Sequence, residues 1–169
     1  MRLPPEIYLK SAVDLAPLLI GKTLCRRIGN EIIRRRITET EAYAGESDTA
    51  CHAHKGRTPR TAVMYEPGGI AYIYLCYGIH NLLNVVAGNL DEPEAVLIRG
   101  VEGASGPGRL TKALQIDRTL NRESFITGNN LWLEEGEPFT FTTAPRVGIG
   151  YASEEDQERL WRFIAQREE

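Results

Sequence analysis

The chain has 169 residues, within the roughly 100–200 of one domain, and is read as a single domain over residues 1–169. Hydrophobic residues at 42% and charged residues at 25% are globular values that exclude wholesale disorder, a collagen-like repeat and a coiled-coil fibre. The net charge of −3 counts against a nucleic-acid partner, but 14 basic residues face 12 acidic ones through Lys112 and 6 face 11 after it, so the acidic excess lies in the tail.

The first element expected is a short helix. Ser11 with Asp14 resembles a capping box, Val13, Leu15, Leu18 and Leu19 follow at helical spacing, and Gly21 stops the run. TLCRRI and EIIRRRITETEAY flank Gly29-Asn30, a pair that closes two-residue β-hairpins. With period-two alternation, Ile33, Arg35, Ile37, Glu39, Glu41 and Tyr43 are expected on one face of the second strand. Residues 44–69 lack periodicity and read as a long functional loop. IAYIYLCY and HNLLNVVAG are expected to pair around Gly78, with AVLIR (95–99) as a further strand. RLTKALQI after GASGPG (103–108) reads as a helix, LWLEE and PFTFTTA as strands, and SEEDQERLWRFIAQ opens like a helix at Ser153. The strand pairs follow too closely for crossover helices, so the expected fold is α+β with an antiparallel or mixed curved sheet flanked by short helices.

Glu39 and Glu41 point the same way on such a strand. That suits water activation by a positioned carboxylate and equally suits a solvated face. Cys51, His52, His54, Cys76 and His80 match no strong zinc spacing, so no metal is expected, and His52 reads better as a hydrogen-bonding or stacking group. Tyr65, Tyr72, Tyr74 and Tyr77 crowd a short span as sheet core or as a base-stacking set. Tyr77-Gly78 at a hairpin tip holds out a ring able to wedge between base pairs. Gly-Pro-Gly before a helix carrying Arg109 and Lys112 offers N–H groups and charge to a phosphate, although such turns also arise for plain geometric reasons.

Three cysteines are too few for a disulfide scaffold and fit a reducing compartment, and MRLPPEIYLK has no apolar signal core. A cytoplasmic protein with no membrane partner is expected.

Taken in order, ETEAY (39–43), CHAHKGRTPR (51–60), YIYLCYGIHNLLN (72–84), AVLIRGVE (95–102), GPGRLTKALQI (106–116), LWLEEG (131–136) and PRVGIG (145–150) resemble the alkyladenine (3-methyladenine) DNA glycosylase family. The resemblance implies a monofunctional base-excision enzyme without a cofactor. Such an enzyme acts, as a monomer, on double-stranded DNA containing damaged purines, flips out 3-methyladenine, 7-methylguanine or hypoxanthine, and hydrolyses the N-glycosidic bond. By resemblance Glu41 is the general base, with Arg99 and the Val147 main chain helping to hold it and its water. Tyr43, His52, Tyr74 and Asn84 form the base pocket, Asn84 filtering out normal guanine, and Tyr77 is the wedge. Arg57, Arg60, Gly108, Arg109 and Lys112 are expected phosphate contacts. Two other classes share the stacking pocket: a non-catalytic nucleic-acid-binding module, which does not need Glu41, and a free-nucleoside hydrolase, which does not need Tyr77.

Overall fold

A computed structural model describes residues 1–166. Chain order begins with α1 (Ala12–Leu18), β1 (Thr23–Ile28) and β2 (Glu31–Tyr43). The Ser11 hydroxyl accepts the Asp14 N–H at 3.2 Å and starts α1, whose Ala12, Leu15 and Ala16 are buried. Leu15 is fully buried, so Leu15→Ala costs about 2–5 kcal/mol. β1 and β2 pair antiparallel from Ile28 opposite Glu31, with Gly29 supplying the positive φ of 59° that the connecting turn requires. The segment 44–69 is a connection as expected, stiffened by 3-10 turns at His52–Lys55 and Thr61–Tyr65.

Next come β3 (Ala71–Cys76), β4 (His80–Ala87), β5 (Glu94–Val101) and a two-residue β6 (Ala104–Ser105). The helix expected in RLTKALQI starts earlier and ends earlier, as α2 (Pro107–Ala113), because Pro107 supplies a pre-set first-turn φ. β7 (Leu131–Glu134), β8 (Phe141–Ala144), α3 (Glu154–Glu158) and β9 (Arg162–Ala165) complete the described chain. Ser153 does start a helix, its hydroxyl accepting the Asp156 N–H at 3.2 Å, but the helix lasts five residues. The rest of that segment is a strand, since Phe163 joins the core while β9 pairs with both β2 and β8.

The strands form one curled, wholly antiparallel sheet with the path β3-β4-β5-β2-β1-β7. Its main core, with Leu83, Val96, Ile98 and Val101, is closed by α1 and α2 through Leu15 and Leu110 and by the residues that end them, Leu19 and Leu114. No helix among the described residues is long and apolar enough to cross a membrane.

One local irregularity decides where the chemistry-bearing residues go. From Ile37 opposite Val101 to Glu39 opposite Gly100, β2 advances by two residues and β5 by one; from there to Thr40 opposite Ile98 the reverse holds. Thr38 and Arg99 are therefore the extra residues of two successive bulges, and each resets the alternation of its strand. Ile37 lies in the core, yet beyond the bulge it is Ala42 that joins the core, while the Thr40 hydroxyl donates to the Ala16 carbonyl of α1 at 2.9 Å. The expectation that Ile33 through Tyr43 share one face is thus corrected. Glu39, Glu41 and Tyr43 are shifted to the face opposite Ile37, because strict period two fails at a bulge.

Candidate active site

That face opens into a cleft of about 770 Å³. Glu41 and Tyr43 from β2, Arg99 from β5, Tyr74 from β3, His52 from the 3-10 turn and Val147 from the chain after β8 all line it. Asn84 does not. It is 4% exposed and lines a small recess that also includes Tyr43, His52, Tyr72 and Tyr74, with its amide donating to the Tyr72 carbonyl at 3.2 Å.

Glu41 is completely buried (0% exposed). Its Oε1 accepts the Tyr43 hydroxyl at 2.8 Å, and its Oε2 accepts the Val147 backbone N–H at 2.7 Å. Arg99 Nη1 stands 3.7 Å from Oε1, but the closer partner of Arg99 is Glu39, whose Oε2 accepts from Nε at 2.7 Å. Burial pushes the Glu41 carboxyl above its ordinary pKa, while Arg99, the Val147 N–H and the Tyr43 hydroxyl act to keep it ionised. Burial and the Glu41 charge push the Tyr43 phenol well above its usual value, so Tyr43 remains a hydrogen donor. A carboxylate offers about four lone-pair sites, and the two short contacts leave capacity for a water.

The wall is aromatic. His52 and Tyr74 meet edge to face at 4.5 Å between centroids, and Tyr72 lies 5.4 Å from Tyr74. Tyr72 and Tyr74 share a face because they are two apart on β3, and the Tyr72 hydroxyl is 2.8 Å from His52 Nδ1. Burial, aided by the nearby Arg60 charge, lowers the His52 pKa to about 4, so the imidazole is neutral near pH 7. Tyr65 stands apart from this wall, donating to Glu46 Oε1 at 2.6 Å.

The hairpin between β3 and β4 carries Tyr77 with φ 52° and Gly78 with φ 68°. Positive φ costs a tyrosine about 1–3 kcal/mol, and in exchange its ring is 90% exposed at the cleft mouth. Across the cleft the start of α2 presents Gly108 and Arg109. A Cβ at Gly108 would sit 2.8 Å from the His80 ring, so only glycine lets the helix start so close to the hairpin base. Arg60 also lines the cleft, with its guanidinium 5.1 Å from the Tyr74 ring centroid. Arg57 and Lys112 are exposed and outside the lining; Arg57 lies 3.9 Å from Asp91. Among the described residues, no three His, Cys, Asp or Glu side chains gather as metal ligands.

Two further residues lie behind the cleft and were not singled out from sequence. Asp48 and Arg146 form a buried ion pair at 2.6 and 3.0 Å directly behind Tyr43 and next to Val147 in the chain. They are 98 positions apart, and only the presence of Arg146 inside PRVGIG hinted at it.

Residues 6–104 and 101–169 match the family described as Methylpurine-DNA glycosylase (MPG). Among curated relatives, one from Borreliella burgdorferi is 44% identical over 170 residues, covering 92% of this chain and 91% of its own length. One from Psychrobacter cryohalolentis is 43% identical over 192 residues (95% and 90%), and one from Methanocella arvoryzae is 41% identical over 182 residues (95% and 90%). Each of the three is named "Putative 3-methyladenine DNA glycosylase". With full-length relatives at this level and the family match spanning the chain, the protein belongs to the methylpurine-DNA glycosylase family, a family of DNA glycosylases.

Proposed function

We propose that the cleft takes an alkylated or deaminated purine nucleotide flipped from duplex DNA, and that Glu41 activates water to hydrolyse its N-glycosidic bond. The observation that carries this reading is the Glu41 carboxylate itself: buried, held by two short donors, and spared the closest contact of Arg99, which goes to Glu39. A carboxylate that served only as an ion-pair partner would take the short contact itself.

In the proposed reaction the water oxygen bonds to the sugar C1′ as the bond from C1′ to the base nitrogen breaks, and the water proton passes to Glu41. The bonding pair leaves with the base. An N-alkylated cationic purine thereby departs neutral, whereas hypoxanthine needs a proton supplied as it leaves. The Glu41 charge also stabilises the positive charge that builds on the sugar. Tyr43, His52 and Tyr74 supply π faces that attract a cationic base and stack on a neutral one, and a neutral His52 adds no repulsion to either. Asn84 beneath them fits a filter against normal guanine. Tyr77, exposed at the hairpin tip, fits the wedge that fills the vacated stack. Arg60, Gly108 and Arg109 at the cleft fit phosphate contacts.

The test is single-turnover release of 3-methyladenine, 7-methylguanine and hypoxanthine from duplex DNA, comparing wild type with Glu41→Gln. Wild type releases a methylated purine and the variant is slowed by about 100-fold or more. Absence of release by wild type from every methylated and deaminated duplex overturns the substrate reading, and unchanged release by the variant overturns the assignment of the base.

A further inference from the structure

The Arg146 side chain is fully buried, and so, within 1%, is that of Asp48. Arg146 Nη1 donates to the Ala42 carbonyl at 2.9 Å and to Asp48 Oδ2 at 2.6 Å; Nη2 donates to Asp48 Oδ1 at 3.0 Å and to the Asp156 carbonyl at 3.2 Å. The guanidinium carbon also lies 4.9 Å from the Tyr43 ring centroid and 5.0 Å from that of Trp161. Asp48 is saturated in turn, accepting the N–H groups of Ala44 and Ala50, each at 3.0 Å. One side chain thus ties the end of β2, the loop after it and α3 together. Ala42 follows Glu41 in the chain, and Val147, whose N–H meets Glu41, follows Arg146.

Stability is a poor explanation for this arrangement. Removing both charges from water costs several kcal/mol, the Arg146 Nε is buried without any partner, and apolar residues fill such a space as well or better. What apolar residues cannot do is fix, through a rigid bidentate fork, the position of two backbone segments at once.

We infer that Arg146, locked by Asp48, is a positioning residue that aims the Val147 N–H at Glu41 Oε2 and so sets the orientation and proton affinity of the catalytic carboxylate. The inference rests on Glu41 being the base. Arg146 acts through Val147 and forms no hydrogen bond or ion pair with Glu41 of its own, although its charge also favours the ionised carboxylate. The charged and titratable groups around Glu41 are Glu39 and Tyr43 on β2, Arg99 on β5, Arg162 on β9 (its Nε is 3.7 Å from Glu39), Tyr151 in the chain after β8, and Arg146 itself. Arg146→Lys alters none of the other charges and keeps its own, although it loosens the packing of Arg146 on the Tyr43 ring. A misaimed N–H therefore leaves a clear sign: the carboxylate loses a donor, becomes harder to ionise, and the acid limb of the rate profile moves to higher pH.

The experiment is the pH profile of single-turnover release of a methylated purine by Arg146→Lys, Asp48→Asn, Val147→Pro and the double variant Arg146→Lys with Val147→Pro. Each is accompanied by a thermal melt and by the affinity for a duplex holding an unreactive abasic analogue. Arg146→Lys keeps the charge but loses the fork. It is slowed about 10- to 100-fold at pH 7, with its acid limb at higher pH and its duplex affinity within a few-fold of wild type. Asp48→Asn moves the limb the same way, Val147→Pro reproduces the shift by deleting the donor, and adding Arg146→Lys to it moves the limb no further. A purely structural pair lowers the melting temperature with the limb in place, and that result in Arg146→Lys and Asp48→Asn overturns the inference. If Arg146→Lys does not fold, Asp48→Asn and Val147→Pro decide alone: both shifts support it and a wild-type limb in either ends it. Glu41→Gln in the same series separates the two levels, since wild-type release by that variant removes the base reading whatever Arg146 does.

Discussion

Arg99 donates to Glu39 at 2.7 Å, a full ångström closer than it comes to Glu41. Two bulges, one on each of two neighbouring strands, bring the three side chains to one face, so that Glu39 takes up much of the guanidinium charge before Glu41 meets it. Removing the Glu39 charge therefore delivers Arg99 to Glu41. We expect Glu39→Gln to favour ionised Glu41, moving the acid limb of base release to lower pH, and to reduce the plateau rate several-fold because a more fully paired carboxylate is a weaker base. Single-turnover rates from pH 4 to 9 check this; a limb that stays in place shows that Glu39 does not moderate Arg99.

Glu41 is buried at a cost to folding. Its folded-state pKa lies above the ordinary carboxylate value, so the folded protein holds the proton more tightly than the unfolded chain, and stability falls as pH rises through that window. Glu41→Gln removes the charge while keeping an acceptor for the Val147 N–H. The variant is expected to lose base release yet melt higher at pH 7, by about 2–4 °C if the relief is ~1 kcal/mol, with no gain below pH ~4 where both states are protonated. Calorimetry at the two pH values measures the difference, and equal melting temperatures at pH 7 refute it.

Much of the local structure is legible in the sequence because it depends on neighbours. Ser11 and Ser153 announce helix starts by their hydroxyls, and Gly29 and Gly78 announce hairpins by their tolerance of positive φ. What is not legible depends on partners. The bulges at Thr38 and Arg99 leave no mark in the hydrophobic pattern, and the switch to strand at Arg162 is hidden behind the acidic helix start of Ser153. For the site, the ordered motifs name residues such as Glu41, Tyr43 and Val147 by resemblance, and the structure brings these together. Asp48 and Arg146 escape because an ion pair across 98 positions has no periodicity or spacing to betray it. Arg57 and Lys112, expected as phosphate contacts, are exposed outside the cleft lining.

His52 has a pKa of about 4, lowered first by burial and then by the Arg60 charge. The unfolded chain, with an ordinary histidine near 6.5, takes up a proton that the folded protein refuses between these values. Stability therefore falls as pH drops from 6.5 towards 4. His52→Gln is expected to flatten that part of the curve, read as the urea midpoint at pH 6.5 and 4.5. In wild type the imidazole carbon-bound proton signals should show no titration down to about pH 5; a midpoint near 6.5 would mean that the ring is solvated and the aromatic wall open.

Tyr77 holds an exposed ring on a backbone conformation that tyrosine disfavours, and nothing in the core needs it there. A residue kept at such a cost is expected to work on a partner rather than on the fold. Tyr77→Ser should leave the melting temperature within about 2 °C of wild type, since a small exposed residue at the same φ changes little. On a fully paired duplex it should lower binding and base release about 10-fold or more, because the vacated stack is no longer filled. On a lesion already destacked, opposite a gap or in a bulge, the loss should be much smaller, as the ring then has no hole to hold open. Single-turnover release on the two substrates gives the comparison, and equal losses on both would assign Tyr77 to the general binding surface instead of the wedge.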